Sequence, residues 1–93
     1  MEKIEIAGKT YTGVLVPTQH SCVLMIQGGK GFLGCGYFQI ETANKLNEAV
    51  AIVRGVKNFQ DMLEARVTQV SEKAKELGLT EGMTGKEALN LLS

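Results

Sequence analysis

The order in which strand and helix signals occur constrains this chain most. Alternating and β-branched runs, broken by glycine and proline, fill residues 1–38, while helix caps and helical spacing crowd residues 39–93. Strands followed by helices in blocks predict an α+β domain rather than a doubly wound sheet, in which the two kinds of element alternate. With 93 residues the chain makes one domain, and it contains no repeat, linker or low-complexity tract.

The strand half divides into two hairpins. Ile4 and Ile6 alternate with Lys3 and Glu5, as a half-buried strand requires. Ala7-Gly8-Lys9 is a turn signal, and Thr10 to Val16 forms the partner strand, closed by Pro17. A polar loop, Thr18 to Ser21, carries His20. The run Cys22-Val23-Leu24-Met25-Ile26 is continuously apolar and suits a strand covered on both faces. Gly28 to Gly31 turns the chain, and Gly31 to Tyr37 is expected to return as a strand.

The second half is expected to hold three to four short helices with one or two short strands. Glu41 to Glu48 reads as a helix with Ala43 and Leu46 inward, and Ala49 to Val53 as an apolar strand ended by Arg54-Gly55. Asn58 caps the next helix, whose apolar face is Phe59, Met62 and Leu63. From there to Leu77 one helical stripe is available, but Arg66 to Val70 is β-branched and Ser71 is a fresh cap. Helix, short strand, helix is therefore preferred. Gly78 stops the second of these helices. Thr84-Gly85-Lys86-Glu87 is a capping box that starts a last helix burying Ala88, Leu91 and Leu92.

Charge and size narrow the partners. Ten basic and ten acidic residues balance, which argues against nucleic acid and gives no support for an anionic membrane. The apolar run at Cys22 is far shorter than the ~20 residues of a membrane span. The alternating, charged N-terminus is unlike a signal peptide, so the expected location is the cytoplasm. A domain this small buries only about 60–65% of the surface of its unfolded chain. Here the core has three phenylalanines, two tyrosines and no tryptophan to draw on. Some apolar surface is therefore expected between subunits of a homo-oligomer, with residues 1–38 as the oligomerisation region.

Several segments invite a chemical reading. Gly28-Gly29-Lys30-Gly31 lies between strands, not before a helix, so it reads as a hairpin turn rather than a phosphate cradle. Gly82 to Lys86 lacks the first glycine and the hydroxyl of a nucleotide loop, and the capping box accounts for it better. Glycine weakens a strand, so Gly34 and Gly36 on either side of Cys35 need a close approach to justify them. Cys35 is either a ligand-facing thiol or a small buried hydrophobe, and packing is favoured because nothing nearby in sequence would activate it. His20 and Arg54 complete the candidate catalytic set: His20 as a base beside Cys22, Arg54 as an anion holder or as a salt bridge to Asp61 or Glu64.

Neither cysteine is expected to hold a metal. Cys22, Cys35 and His20 lack a fourth ligand for zinc, and no other cofactor is indicated. A hairpin centred on Gly29-Lys30 sets Cys22 opposite Tyr37 and Cys35 opposite Leu24. The thiols are then diagonal, about 7–8 Å apart at the backbone, which disfavours a disulfide. A shift of two residues would put them face to face.

Gly31 to Tyr37, Ile40 to Ala43 with Lys45-Leu46, and Ala51 to Lys57 with Asp61-Met62-Leu63 together resemble the YunC-like family, domain of unknown function 1805. Ser71, Ala74, Glu76 to Gly78 and Gly82 to Leu89 extend the match. The resemblance covers nearly the whole chain, with Ile4 to Val16 matching least. It implies a bacterial or archaeal protein that forms tetramers through its N-terminal β region. It implies no biochemical activity, and no role for the matching Cys35, Gly36, Gly55 and Gly82. The function expected is that of a homotetrameric assembly or small-ligand-binding domain, with an enzyme using Cys35 at a subunit interface as the alternative.

Overall fold

The computed structural model describes residues 1–93. Six strands, β1 (Glu2–Ile6), β2 (Lys9–Pro17), β3 (Cys22–Gln27), β4 (Phe32–Gly34), β5 (Val50–Ile52) and β6 (Gln69–Val70), form one sheet in sequence order. The first four run antiparallel as the two expected hairpins. Ala7 and Gly8 make the first turn with φ of 52° and 80°, the positive pair that suits the twist of a tight hairpin. The β3–β4 register sets Met25 opposite Gly34, as a turn at Gly29-Lys30 requires.

The expectation of α+β holds, but the second half adds more to the sheet than its helical signals suggest. β5 pairs parallel to β4, and β6 closes antiparallel on β5. A parallel neighbour needs a crossover, and α1 (Ile40–Lys45) supplies it. The helix–strand–helix reading of residues 59–77 is correct: α2 (Phe59–Glu64), β6 and α3 (Glu72–Glu76) follow one another. The last helix is α4 (Gly85–Leu92). No helix is long and apolar enough to cross a membrane.

Two layers flank the sheet unequally. On the inner face α2, α3 and α4 pack Met62, Ala74, Ala88, Leu89 and Leu92 against Leu24, Ile26, Leu33 and Ala51, all buried. On the outer face α1 alone lays Ala43 over Val50 and Ile52. β5 is thus buried on both faces. β3 is not: Leu24 and Ile26 face the core, while Val23 and Met25 stay half-exposed. The continuous apolar run of β3 therefore lacks the double cover it was expected to have.

Caps fix the helix ends as the sequence indicates. Asn58 Oδ1 accepts from the Asp61 amide at 2.7 Å, and Thr84 and Glu87 form a reciprocal capping box. Ser71 does more than cap α3. Its buried hydroxyl accepts from Ala74 N–H at 3.2 Å and Val50 N–H at 2.9 Å, and donates to Glu48 O at 2.7 Å. It ties α3 to the start of β5. Gly85 lets α4 start directly on α2, since a Cβ there would collide with the carbonyl oxygen of Met62.

Two boundaries and one buried face differ from expectation. β4 ends at Gly34 rather than Tyr37, because Phe38 N–H donates to Cys35 O at 3.1 Å and turns the chain. α1 stops at Lys45, where Asn47 adopts a left-handed φ of 58°. That turn leaves Leu46 outward and 66% exposed instead of buried. In α4 the inward leucines are Leu89 and Leu92, and Leu91 is only partly covered.

Candidate functional site

β4 and β5 are the sheet's one parallel pair, so their carboxyl ends point the same way. After β4 the chain passes to α1 on the outer face; after β5 it passes to α2 on the inner face. Chains that leave neighbouring strands toward opposite faces open a crevice at the strand ends, and ligands favour such crevices. Here the crevice is a cleft of about 260 Å³. Its walls are Cys35, Gly36 and Tyr37 after β4, Gly55 and Val56 after β5, and Ser21 and Cys22 where β3 begins.

Cys35 sits at the base, 4% exposed and within the main core. Its amide donates to Leu24 O at 3.1 Å, and Leu24 N–H donates back to Cys35 Sγ at 3.3 Å. The sulfur thus takes the place of a backbone carbonyl at the end of the β3–β4 ladder. Cys22 is more open, and its thiol donates to Lys57 O at 3.6 Å. Both cysteines are free thiols, and they line the same cleft.

Arg54 follows β5 just before Gly55 and is not itself part of the cleft wall. Its Nη2 donates to Gln69 Oε1 at 3.3 Å, and a Cβ at Gly36 would lie 3.1 Å from its Nη1. The expected ion pair with Asp61 or Glu64 does not form. Asp61 Oδ2 instead accepts from Lys57 N–H at 3.1 Å, and Glu64 accepts from Gln60. The molecule's two ion pairs, Lys73–Glu76 and Lys75–Glu72, both lie on α3. The glycines around Cys35 now have a reason: Gly34 makes room for the Phe38 ring, and Gly36 for the Arg54 side chain.

His20 lies in the β2–β3 loop at this same end of the sheet, because Pro17 pairs with Cys22. The loop is closed by Thr18, whose hydroxyl accepts from Ser21 N–H at 2.9 Å. His20 is exposed there and is not part of the cleft wall. Of the three candidates the cleft wall holds Cys35; Arg54 packs beside Gly36 and His20 stays in its exposed loop, neither of them in the wall. Gln69, which braces Arg54, carried no signal in the sequence. Only the pairing of β6 with Ile52 places it there.

A second concavity lies on the outer face. A groove of about 400 Å³ runs between α1 and the sheet, lined by Phe32, Phe38, Tyr37, Leu46 and Val50 among others. Phe32 and Phe38 meet edge to face, centroids 5.2 Å apart. This groove is larger, but its polar groups, Gln39, Thr42 and Glu48, surround an apolar floor.

A family model described as "Domain of unknown function (DUF1805)" matches residues 34–92. The uncharacterized protein YunC of Bacillus subtilis (strain 168) is 29% identical over 90 residues, covering 92% of this chain and 89% of that protein. The crystal structure of TA1206 from Thermoplasma acidophilum, a protein of unknown function, is similar with a TM-score of 0.94 at 35% identity. That likeness covers 99% of this chain and 90% of the other. The family match begins at Gly34, so it takes in the cleft residues that follow β4 and β5 and leaves Ser21, Cys22 and β1 to β3 outside.

Proposed function

The chain belongs to the DUF1805 family, and from that premise we propose that it is a self-assembling domain whose copies each carry a small-ligand cleft. The observation behind assembly is the bare outer face of the N-terminal strands. Thr12, Val14 and Val16 of β2 lie beside Val23 and Met25 of β3 on this face. Val16 is 51% exposed, and Thr12, Val14, Val23 and Met25 are only partly buried. An apolar run such as β3 gains stability when its second face is covered as well. A second copy is the cover that every molecule has available.

Area says how far the interface extends. Three strands spaced ~4.8 Å apart and nine residues long at most present a face of about 400 Å². A stable association buries about 800 Å² per partner. The interface therefore also takes in the neighbouring α1 groove, where Tyr37 and Leu46 are 58% and 66% exposed. The family resemblance implies four copies. Gel filtration with light scattering is expected to give four times the 10.0 kDa chain mass; a monomer at micromolar concentration ends this reading.

Ligand binding is the second part, favoured by the cleft at the ends of β4 and β5. At about 260 Å³ it falls just below the usual range of drug-sized pockets, ~300–1,000 Å³, and suits a metabolite-sized molecule. A binding role fits it better than cysteine catalysis. Cys35 is buried with its sulfur held by Leu24 N–H, whereas a nucleophile must be open to its substrate and paired with a base.

A further inference from the structure

We propose that the open edge of β1 pairs antiparallel with β1 of a second copy, the twofold axis passing through Ile4. The proposal deepens the assembly reading above and rests on it. It supplies a second contact, by which pairs held through the outer face become four copies.

β1 is the last strand on its side of the sheet. Its ladder with β2 occupies one edge, and none of the backbone bonds outside the ladders reaches residues 2–6. The tight turn at Ala7 and Gly8 makes Ile6 and Lys9 a hydrogen-bonded pair. Alternation along an antiparallel ladder then points the backbone groups of Ile4 at Tyr11. It turns the N–H and C=O of Lys3 and Glu5 to the open edge. Such an edge is a template for another strand. The opposite edge strand, β6, is only two residues long and offers no comparable ladder.

Charged side chains normally protect an edge, and those of β1 select the strand it accepts. The sequence around Ile4 reads Lys3-Ile4-Glu5. A copy turned about Ile4 therefore sets Lys3 opposite the partner's Glu5, and Glu5 opposite the partner's Lys3. Both side chains are exposed, and neither belongs to an ion pair within the chain. The same register gives the free N–H and C=O groups of Lys3 and Glu5 their partners, because a hydrogen-bonded pair exchanges both bonds. A slip by two residues would oppose Lys3 to Lys3 or Glu5 to Glu5, and like charges directly opposite are destabilising. Backbone geometry and charge thus choose one register. The contact is isologous, and two different isologous contacts close at four copies. One five-residue strand buries far less than the ~800 Å² per partner of a stable association, so the edge joins pairs that the face already holds.

The experiment measures mass by light scattering on the untagged chain at low ionic strength, where charge contrast is largest. The wild type is expected at four copies. Lys3→Glu and Glu5→Lys should each run at half that mass, because each sets like charges opposite one another on both sides of the axis. Mixing the two single variants in equal amounts should restore the wild-type mass, since each then faces the charge it lacks. The double substitution Lys3→Glu with Glu5→Lys should restore it too. Both side chains are exposed, so the variants keep the fold, and unchanged circular dichroism verifies this. As a second readout, the Lys3 and Glu5 amides should exchange with deuterium at least tenfold faster in either single variant than in the wild type.

Single variants at the wild-type mass, or halved masses that neither mixing nor the double substitution restores, overturn the edge contact. Failure of the assembly reading looks different: a monomeric wild type removes both contacts. A wild type of two copies that Val16→Lys splits and Lys3→Glu leaves whole keeps the face and removes the edge.

Discussion

Cys35 shows how a residue that attracts chemical interest in a sequence can be doing structural work. Its sulfur accepts the Leu24 amide at 3.3 Å where the strand ladder runs out. Without it a buried N–H would have no acceptor, and that omission costs about 1–3 kcal/mol. Cys35→Ala is therefore expected to lower stability by that amount in urea unfolding; a midpoint equal to wild type would show the N–H···S contact to be idle. In the native protein iodoacetamide should alkylate Cys22 first, because Cys35 is 4% exposed. The packing role was readable from Gly34-Cys35-Gly36, since glycines in a strand signal a close approach. What approaches was not readable: Phe38 is near in sequence, but Arg54 comes from just beyond β5.

Among the elements, α4 depends most visibly on a local motif. The Glu87 carboxylate accepts from Thr84 N–H at 2.9 Å and from the Thr84 hydroxyl at 3.1 Å. The backbone bond chiefly, then the hydroxyl, hold its pKa below the ordinary 4.5; desolvation opposes them, and the charge of Arg66 adds the smallest lowering. A carboxylate whose folded pKa is depressed adds stability that is complete above its unfolded pKa and is lost as pH falls through the folded value. Glu87→Gln keeps an acceptor but cannot titrate. Its melting temperature should consequently fall less than that of the wild type below about pH 4.5, the ordinary value. Parallel melting curves for the two proteins across that range would refute the assignment. This motif, like the Asn58 and Ser71 caps, is local, spanning four residues, which is why the sequence displays it. Leu46 failed for the opposite reason: its direction depends on where α1 stops, and Asn47 decides that with one positive φ.

At the scale of the whole molecule, the sheet is covered by three helices on one face and one on the other. The uncovered part carries the assembly proposal. Val16→Lys places a charge at a site 51% exposed in the single chain, where surface changes usually shift stability by less than about 0.5 kcal/mol. In an assembled interface the same lysine would be buried without a partner, at a much larger cost. The variant is expected to sediment as a folded monomer with unchanged circular dichroism; retention of the wild-type mass would place the interface elsewhere. By itself the sequence determined the α+β class, the two N-terminal hairpins and the caps, and it favoured the helix–strand–helix order of residues 59–77. These follow from period, turn residues and capping spacing, all of which act within a few residues. Only the tertiary structure decided that β5 lies parallel to β4, that the following segments leave toward opposite faces, and that Arg54, Gly36 and Gln69 therefore meet beside a cleft. Those outcomes join residues 15 to 33 positions apart, and such contacts are chosen by which faces can be covered, a property of the folded chain as a whole.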